Sequence, residues 1–548
     1  MKTRYLIFTF LFFLSASITY GQDTLEEKFN KLDKLNMLET NMAKANIGNA
    51  LQYTWLLYQK NTPESVSKAD KMLDMTLSFQ VSDDLESGNY GLWPWSVGSV
   101  VKDKNVPLFH AHLMFVKLWD EQGKMSSRTR EAFLKACERI LVACERRYDE
   151  EIFELGREIV AYSNIFALYV QTLTLAAERY DSDRLRRKAN IQWRRFYNNF
   201  KFYGISEFLS TTYYQVIFDA LKDIKAFGHE ERIAAEAKEM MDFLYLQQSA
   251  VTHPLLKLPV SGIARDYREF TKKNDARVEF LQYDVEDYTP PAKAVEINKN
   301  RKYPFEATGR TGALSFVYKT YQTPHAAMGS MSGWGNYYWQ QIYCMASMGK
   351  DEKEKATLFI PGSYTPINGF TDQKGLSALC VFNRLPTMWH LTQWKGDLAD
   401  YRETFGEFGV GFTDKFKQDS QTSERIVLKA YGYDVHIFPF ELENGKVNQS
   451  SMECRQREKT SPRYHTRPAH FKEYVFNEKA DWFGVVVKVV KSGEKVKRPE
   501  IFYKQEAGIH TFSTEDNFSV SVAQMEQGNS IQIRPEEVNL VPRLQIIE

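Results

Sequence analysis

The chain has 548 residues, enough for two or more domains with full cores. Its 71 Lys and Arg stand against 70 Asp and Glu, which leaves no global field to attract nucleic acid or an acidic membrane. Aromatics make up 14% of residues, with 10 Trp and 30 Tyr, a usage that suits stacking on sugars and equally suits a large mixed core.

At the N-terminus, Lys2 and Arg4 precede the apolar run YLIFTFLFFLSASI, and small Gly21 stands where a signal peptidase could cut. Residues 1–21 therefore read as a secretory signal, excluded from the fold. The run is short for a bilayer span, and Gly21, Gln22 and Asp23 do not include the Cys of a lipoprotein anchor. A secreted or periplasmic protein is expected, with no membrane insertion once the signal is removed. The 5 Cys show no zinc spacing. Cys137 and Cys144 fall on one helical pattern and are expected as core thiols. No H-E-x-x-H, paired C-x-x-C or calcium-loop spacing occurs, so neither a metal nor a cofactor is expected. P-loop, dinucleotide and G-x-S-x-G patterns are absent too, which argues against nucleotide use and α/β-hydrolase chemistry.

Residues 22–290 read as helix hairpins, because apolar residues recur at three and four through runs such as NMAKANIGNALQYTWLLYQK and AYSNIFALYVQTLTLAAERY. There are too many such runs for one four-helix bundle, and hairpins closed into an (α/α) toroid are expected. One long interruption, residues 81–107, is Gly-rich yet carries Tyr90, Trp93 and Trp95. It reads either as an anchor packed on the body or as a platform for a ligand. His110 and His112, two apart on a helix, diverge instead of forming a metal pair.

The stretch YGISEFLSTTYYQ, residues 203–215, carries Glu207 on a turn opened by Gly204. Ser210 is a good N-cap for the helix that follows, with Tyr213 and Tyr214 in its first turn beside the positive end of the helix dipole. A carboxylate and two phenols at a helix entrance suit acid–base chemistry, and they also suit an ordinary capped turn. Residues 291–311, rich in Pro and charge before them and around them, read as a linker. Over 312–548 the period changes to two, in short runs such as ALSFVYKTY, LSALCVFNRL and DWFGVVVKVVK. No helix-length pattern interrupts them, so the expected fold is α+β: an N-terminal (α/α) toroid followed by an antiparallel β-sandwich.

The segments YSNIFALYV and YGISEFLSTTYY resemble a pair of motifs, Y-[TS]-N-I and G-I-x-E-[YF]-x-S-P-T-Y, of exported helical-toroid proteins. Thr211 replaces the motif's proline. With the layout, this resembles the toroid-plus-sandwich polysaccharide lyases of the heparinase II/III-like, alginate and chondroitin lyase kind. The architecture covers most of the chain, and the local motif roughly fifty residues. The resemblance implies β-elimination on a uronic-acid glycan, with an acidic polysaccharide as partner. Such a lyase removes the C5 proton and neutralises the adjacent carboxylate with hydrogen-bond donors. It implies that Asn164 donates to that carboxylate and that Tyr213 or Tyr214 carries the proton. Glu207 would orient the Tyr or a substrate hydroxyl. His325, in YQTPHAAMGSMSGWGNYYWQ, would support charge neutralisation or act as partner base, its small followers letting a sugar approach. Trp334 and Asn336 follow it as further sugar contacts, with Tyr90, Trp93 and Trp95 at the cleft rim. Two alternatives stay open. A glycoside hydrolase would use Glu207 with a second carboxylate from Asp83, Asp84, Glu86 or Glu158, and a non-catalytic glycan binder would use the aromatic loops alone.

Overall fold

The computed structural model describes residues 27, 29–30, 45–101, 103–151, 163–210, 213–264, 288–311, 316–333, 342–361, 368–383, 408–422, 424–449, 453–460, 470–477, 480, 482–524, 531–532 and 544–547. The signal expected at 1–21 lies outside them, as do Glu158, Thr211, Trp334 and Asn336. The chain is α+β, with helices filling its N-terminal half and antiparallel sheets its C-terminal half. It divides into two compact units, Met1–Phe200 with Val216–Met241, and Lys201–Gln215 with Asp242–Glu548. No helix among the described residues is long and apolar enough to cross a membrane.

The helices start and stop where capping chemistry places them. Asn46 accepts from the Asn49 amide at 3.1 Å to open α1 (Ile47–Lys60), and Asn61, left-handed at φ 55°, closes it. Thr62 and Ser65 form a reciprocal capping box at the start of α2 (Pro63–Ser78), which also has Pro at its first position. Then come α3 (Val106–His112), α4 (Ser127–Glu151), α5 (Ser163–Arg179), α6 (Asp183–Tyr203), α7 (Tyr213–Phe227), α8 (Glu231–Val251) and α9 (Ala292–Lys299). The helical path after α3 is not regular: it passes into a π-helical segment at Leu113–Leu118 and a 3-10 segment at Trp119–Lys124. The 291–311 stretch, expected as a linker, holds α9 and the strand Phe305–Thr311. A short stretch of Pro and charge hides the fact that Ile297, Phe305 and Ala307 pack at one core with Ala250.

In the second unit the described strands build three antiparallel layers. A nine-stranded sheet runs in the order 453–460, 470–477, 408–412, 355–360, 344–349, 326–332, 316–322, 305–311, 545–547. A second sheet follows the path 417–421, 426–430, 433–443, 482–491, 377–383, 368–374, with 446–448 paired beside 433–443. Phe382 and Phe483 of this sheet meet Phe408 of the first at ring distances of 4.9 and 5.0 Å. The period-two alternation then turns Leu379, Val381 and Val486 the other way, where they pack on Phe512, Val520 and Val522 of a four-stranded sheet. The middle sheet is thus apolar on both faces, which explains the unbroken hydrophobic run in WFGVVVKVV.

A segment at 258–264 presses against the outer face of the nine-stranded sheet. A Cβ on Gly329 would stand 2.2 Å from the Val260 carbonyl oxygen and 2.4 Å from Ser261 Cα. Both are backbone atoms, so Gly329→Ala must push strand and segment apart. It is expected to cost about 1–3 kcal/mol, read as a shift in the chemical-unfolding midpoint. An unchanged midpoint would show that the contact yields freely.

Candidate active site

The 203–215 stretch folds as its residues direct. Gly204 has φ +76°, and a Cβ there would come within 3.0 Å of the Thr311 hydroxyl, which donates to the Ile205 carbonyl at 2.8 Å. The amide of Ser210 donates to the Glu207 carbonyl at 3.1 Å, closing a tight turn. Ser210 Oγ then accepts from the Tyr213 amide at 3.2 Å, the N-cap contact expected from sequence. The Phe208 ring stacks on Tyr318 at 4.4 Å, and its carbonyl accepts from the Ala264 amide at 2.9 Å.

This packing separates the two tyrosines. Tyr214 is 2% exposed, and its hydroxyl donates to Gln247 Oε1, whose amide nitrogen donates to the Tyr318 hydroxyl at 2.9 Å. Burial, with the Tyr318 phenol beside it, pushes the Tyr214 phenol well above its usual range. Tyr213 stays half-buried in the first turn of α7. Of the pair, only Tyr213 keeps surface that a substrate could touch.

Several expectations need correction. Glu207 is 0% exposed, so its carboxylate sits inside the turn and does not reach a glycan as acid or base. Asn164, the second residue of α5 in the first unit, is 1% exposed, and its Oδ1 lies 2.7 Å from the Ile165 amide. Its amide therefore does not stand open to a substrate carboxylate. His325 is exposed in the turn after the Phe316–Gln322 strand, where its carbonyl accepts from the Gly349 amide at 3.0 Å. The Phe208 turn docks near the opposite end of that strand, at Tyr318. Four residues of extended chain from Tyr318 to Gln322 span about 13 Å, and His325 lies beyond. The turn that carries Glu207 and the tyrosines thus docks near one end of that strand, and His325 lies past the other. The small residues after His325 do not open a path for sugar, because Gly329 receives the backbone of Val260 and Ser261.

The aromatic loop of the first unit is chiefly an anchor. Trp93 is 0% exposed, with its indole N–H donating to the Thr76 carbonyl at 3.2 Å and its ring edge-on to His110 at 5.7 Å. It cannot stack on a sugar. Trp95 is half-buried and donates to Asp103 Oδ2 at 2.8 Å, and Tyr90 is half-buried beneath the Arg146 guanidinium, 5.8 Å away. Asp83, Asp84 and Glu86 are exposed on the same loop.

His110 and His112 do diverge, as helical spacing requires. His112 turns to α7, its Nδ1 2.6 Å from Asp223 Oδ2, and Gln171 Nε2 of α5 donates to the same oxygen at 2.6 Å. A carboxylate on Nδ1 sets the ring's orientation and tautomer, the arrangement that prepares an imidazole for proton transfer. Sequence reading missed this pair, since its members are 111 positions apart with no motif around either. No cluster of three or more His, Cys, Asp or Glu able to hold a metal occurs among the described residues.

No family model matches the chain. No curated protein matches it either. Among solved structures it is similar to the insecticidal delta-endotoxin Cry8Ea1 from Bacillus thuringiensis, at 10% identity over 86% of this chain and 96% of that chain. The TM-score is 0.15, a likeness too slight to bear on fold or function.

His110 carries a pH dependence of its own. It is 1% exposed, its Nε2 has no hydrogen-bond partner among the described residues, and burial pushes its pKa from 6.5 down to about 3. The unfolded chain binds a proton here below about pH 6.5, while the fold refuses it until about pH 3. Stability contributed by this group is therefore complete above 6.5 and falls as pH drops through that window, by at most ~1.4 kcal/mol per pH unit. His253 and His436, each pushed down to about 4 by burial, add to the same limb. Unfolding midpoints between pH 7 and 4 should decline less steeply in His110→Gln than in the parent. Parallel slopes would remove His110 from the account.

Proposed function

We propose that the chain is an exported polysaccharide lyase, secreted or periplasmic, that cleaves a uronic-acid glycan by β-elimination. Its helical half is read as an (α/α) toroid and its sheets as the accompanying β-sandwich. The observation that carries the reading is the separation of Tyr213 from Tyr214. One phenol is held inward by Gln247, while the other stays partly open on the first turn of α7. The positive end of that helix favours negative charge beside it, which suits a phenolate that takes the proton from C5 and, as the phenol so formed, gives it to the departing oxygen. Glu207 acts from beneath as a positioning residue in the same turn.

The hydrolase alternative loses support because Glu207 is buried, and two carboxylates flanking a sugar are the usual requirement. The glycan-binding alternative loses its central Trp93 for the same reason.

The test is incubation of the mature protein with a panel of acidic polysaccharides, following both ultraviolet absorbance of conjugated unsaturated ends and new reducing ends. A lyase produces the two together. Reducing ends without unsaturation would replace this reading with hydrolysis, and retention on a glycan with neither product would make the protein a binder.

A further inference from the structure

Cys344 and Cys380 stand on facing layers of the second unit, and both are buried free thiols at 0% exposure. The direction in which each points follows from its strand. Cys344 lies opposite Ser330 in the nine-stranded sheet. That puts it on the face away from Gly329 and its cross-strand neighbour Thr320, whose side is covered by the 258–262 segment. Cys380 lies between Leu379 and Val381, which point to the four-stranded sheet, so it points to the nine-stranded one. Both thiols therefore enter the same space between layers.

That space is narrow at one corner. The Gly333 amide donates to the Gly369 carbonyl at 3.1 Å, and the Thr371 hydroxyl donates to the Met331 carbonyl at 3.0 Å. The two sheets thus touch backbone to backbone through the 326–333 and 368–374 strands. Cys344 is one strand in from that contact on one side, through Ser330, and Cys380 is one strand in on the other, through Thr371. Facing sheets normally stand about 10 Å apart, too far for a disulfide; beside a closed corner they come nearer. Burial, with the Cys344 thiol beside it, holds the Cys380 thiol well above its usual range.

The geometry points to Cys344 and Cys380 as a dithiol pair that oxidises to a disulfide stapling the nine-stranded sheet to the sheet beneath it. The oxidant is a small or protein-borne disulfide. The thiolate of one Cys attacks it, releasing one thiol of the oxidant and leaving a mixed disulfide. The second Cys thiolate then displaces the other thiol. Two S–H bonds are lost from the chain, one S–S bond forms, and the two electrons and two protons end on the reduced oxidant. Because both thiols are buried and the Cys380 thiol is reluctant to ionise, exchange takes place before the layers close.

The test is refolding of the full chain with oxidised glutathione or with dithiothreitol, followed by alkylation in denaturant and non-reducing peptide mass spectrometry. The oxidised sample should contain a Cys344–Cys380 cross-linked peptide that vanishes on reduction, and should melt at higher temperature than the reduced sample. The parent protein supplies both arms, so the result does not depend on any variant folding. In Cys380→Ala, the cross-link and the difference in melting between the two arms should both be lost. Alkylation of all 5 Cys after oxidative refolding, or a cross-link that excludes either residue, would overturn the proposal.

Discussion

Tyr213→Phe is expected to lower turnover of a uronate-bearing glycan by about 10²–10⁴-fold, the usual loss when a positioned proton-transfer group is removed. The variant should keep its fold, since the Tyr213 amide, and not its hydroxyl, holds the Ser210 cap. Tyr214→Phe should do the reverse. Its hydroxyl is the donor to Gln247, and deleting it leaves a buried amide oxygen short of that partner, at about 1–3 kcal/mol of stability. Turnover of the folded fraction should stay close to that of the parent. Measuring kcat and the urea midpoint for both variants gives crossed outcomes, a rate defect without instability and instability without a rate defect. Equal kcat in the two variants, or a rate defect in Tyr214→Phe alone, would take the proton from Tyr213.

Trp93→Ala is expected to cost about 3–5 kcal/mol of stability, the range for deleting a large ring from a filled core. The ring is 0% exposed and spans the helix end at Thr76 and the His110 imidazole. Its loss empties that space and takes one donor from the Thr76 carbonyl, which keeps the Phe79 amide at 3.3 Å. Trp95→Ala should cost clearly less, because Trp95 is only half-buried and holds Asp103 near the loop surface. A thermal melt of the two variants distinguishes them. If Trp93→Ala melts with the parent but binds glycan more weakly, the loop is a platform after all.

Local chemistry was legible wherever the deciding partners are close in sequence. Ser210 as N-cap, the turn at Gly204 and the divergence of His110 from His112 all follow from spacings of a few residues, and the structure keeps each of them. The change from a helical to an alternating period likewise marks the α and β halves, because periodicity reports which face of an element is buried. The alternation in the middle sheet did not reveal a third layer, since a strand apolar on both faces names no neighbour.

What the sequence alone determined, then, is the class of fold, the caps and turns, and the short list of groups with acid–base or stacking chemistry. Which of those groups stays open was decided only by tertiary packing. Tyr213 and Tyr214 are adjacent and chemically identical, and it is Gln247, on α8, that draws one of them inward. Glu207 and Trp93 look available in sequence and are sealed by segments remote from them. His325 sits a strand's length from the turn it was expected to join, while Asp223 reaches His112 across 111 positions. Burial and long-range pairing are properties of what packs against a residue, and a window of neighbouring residues holds no record of that partner.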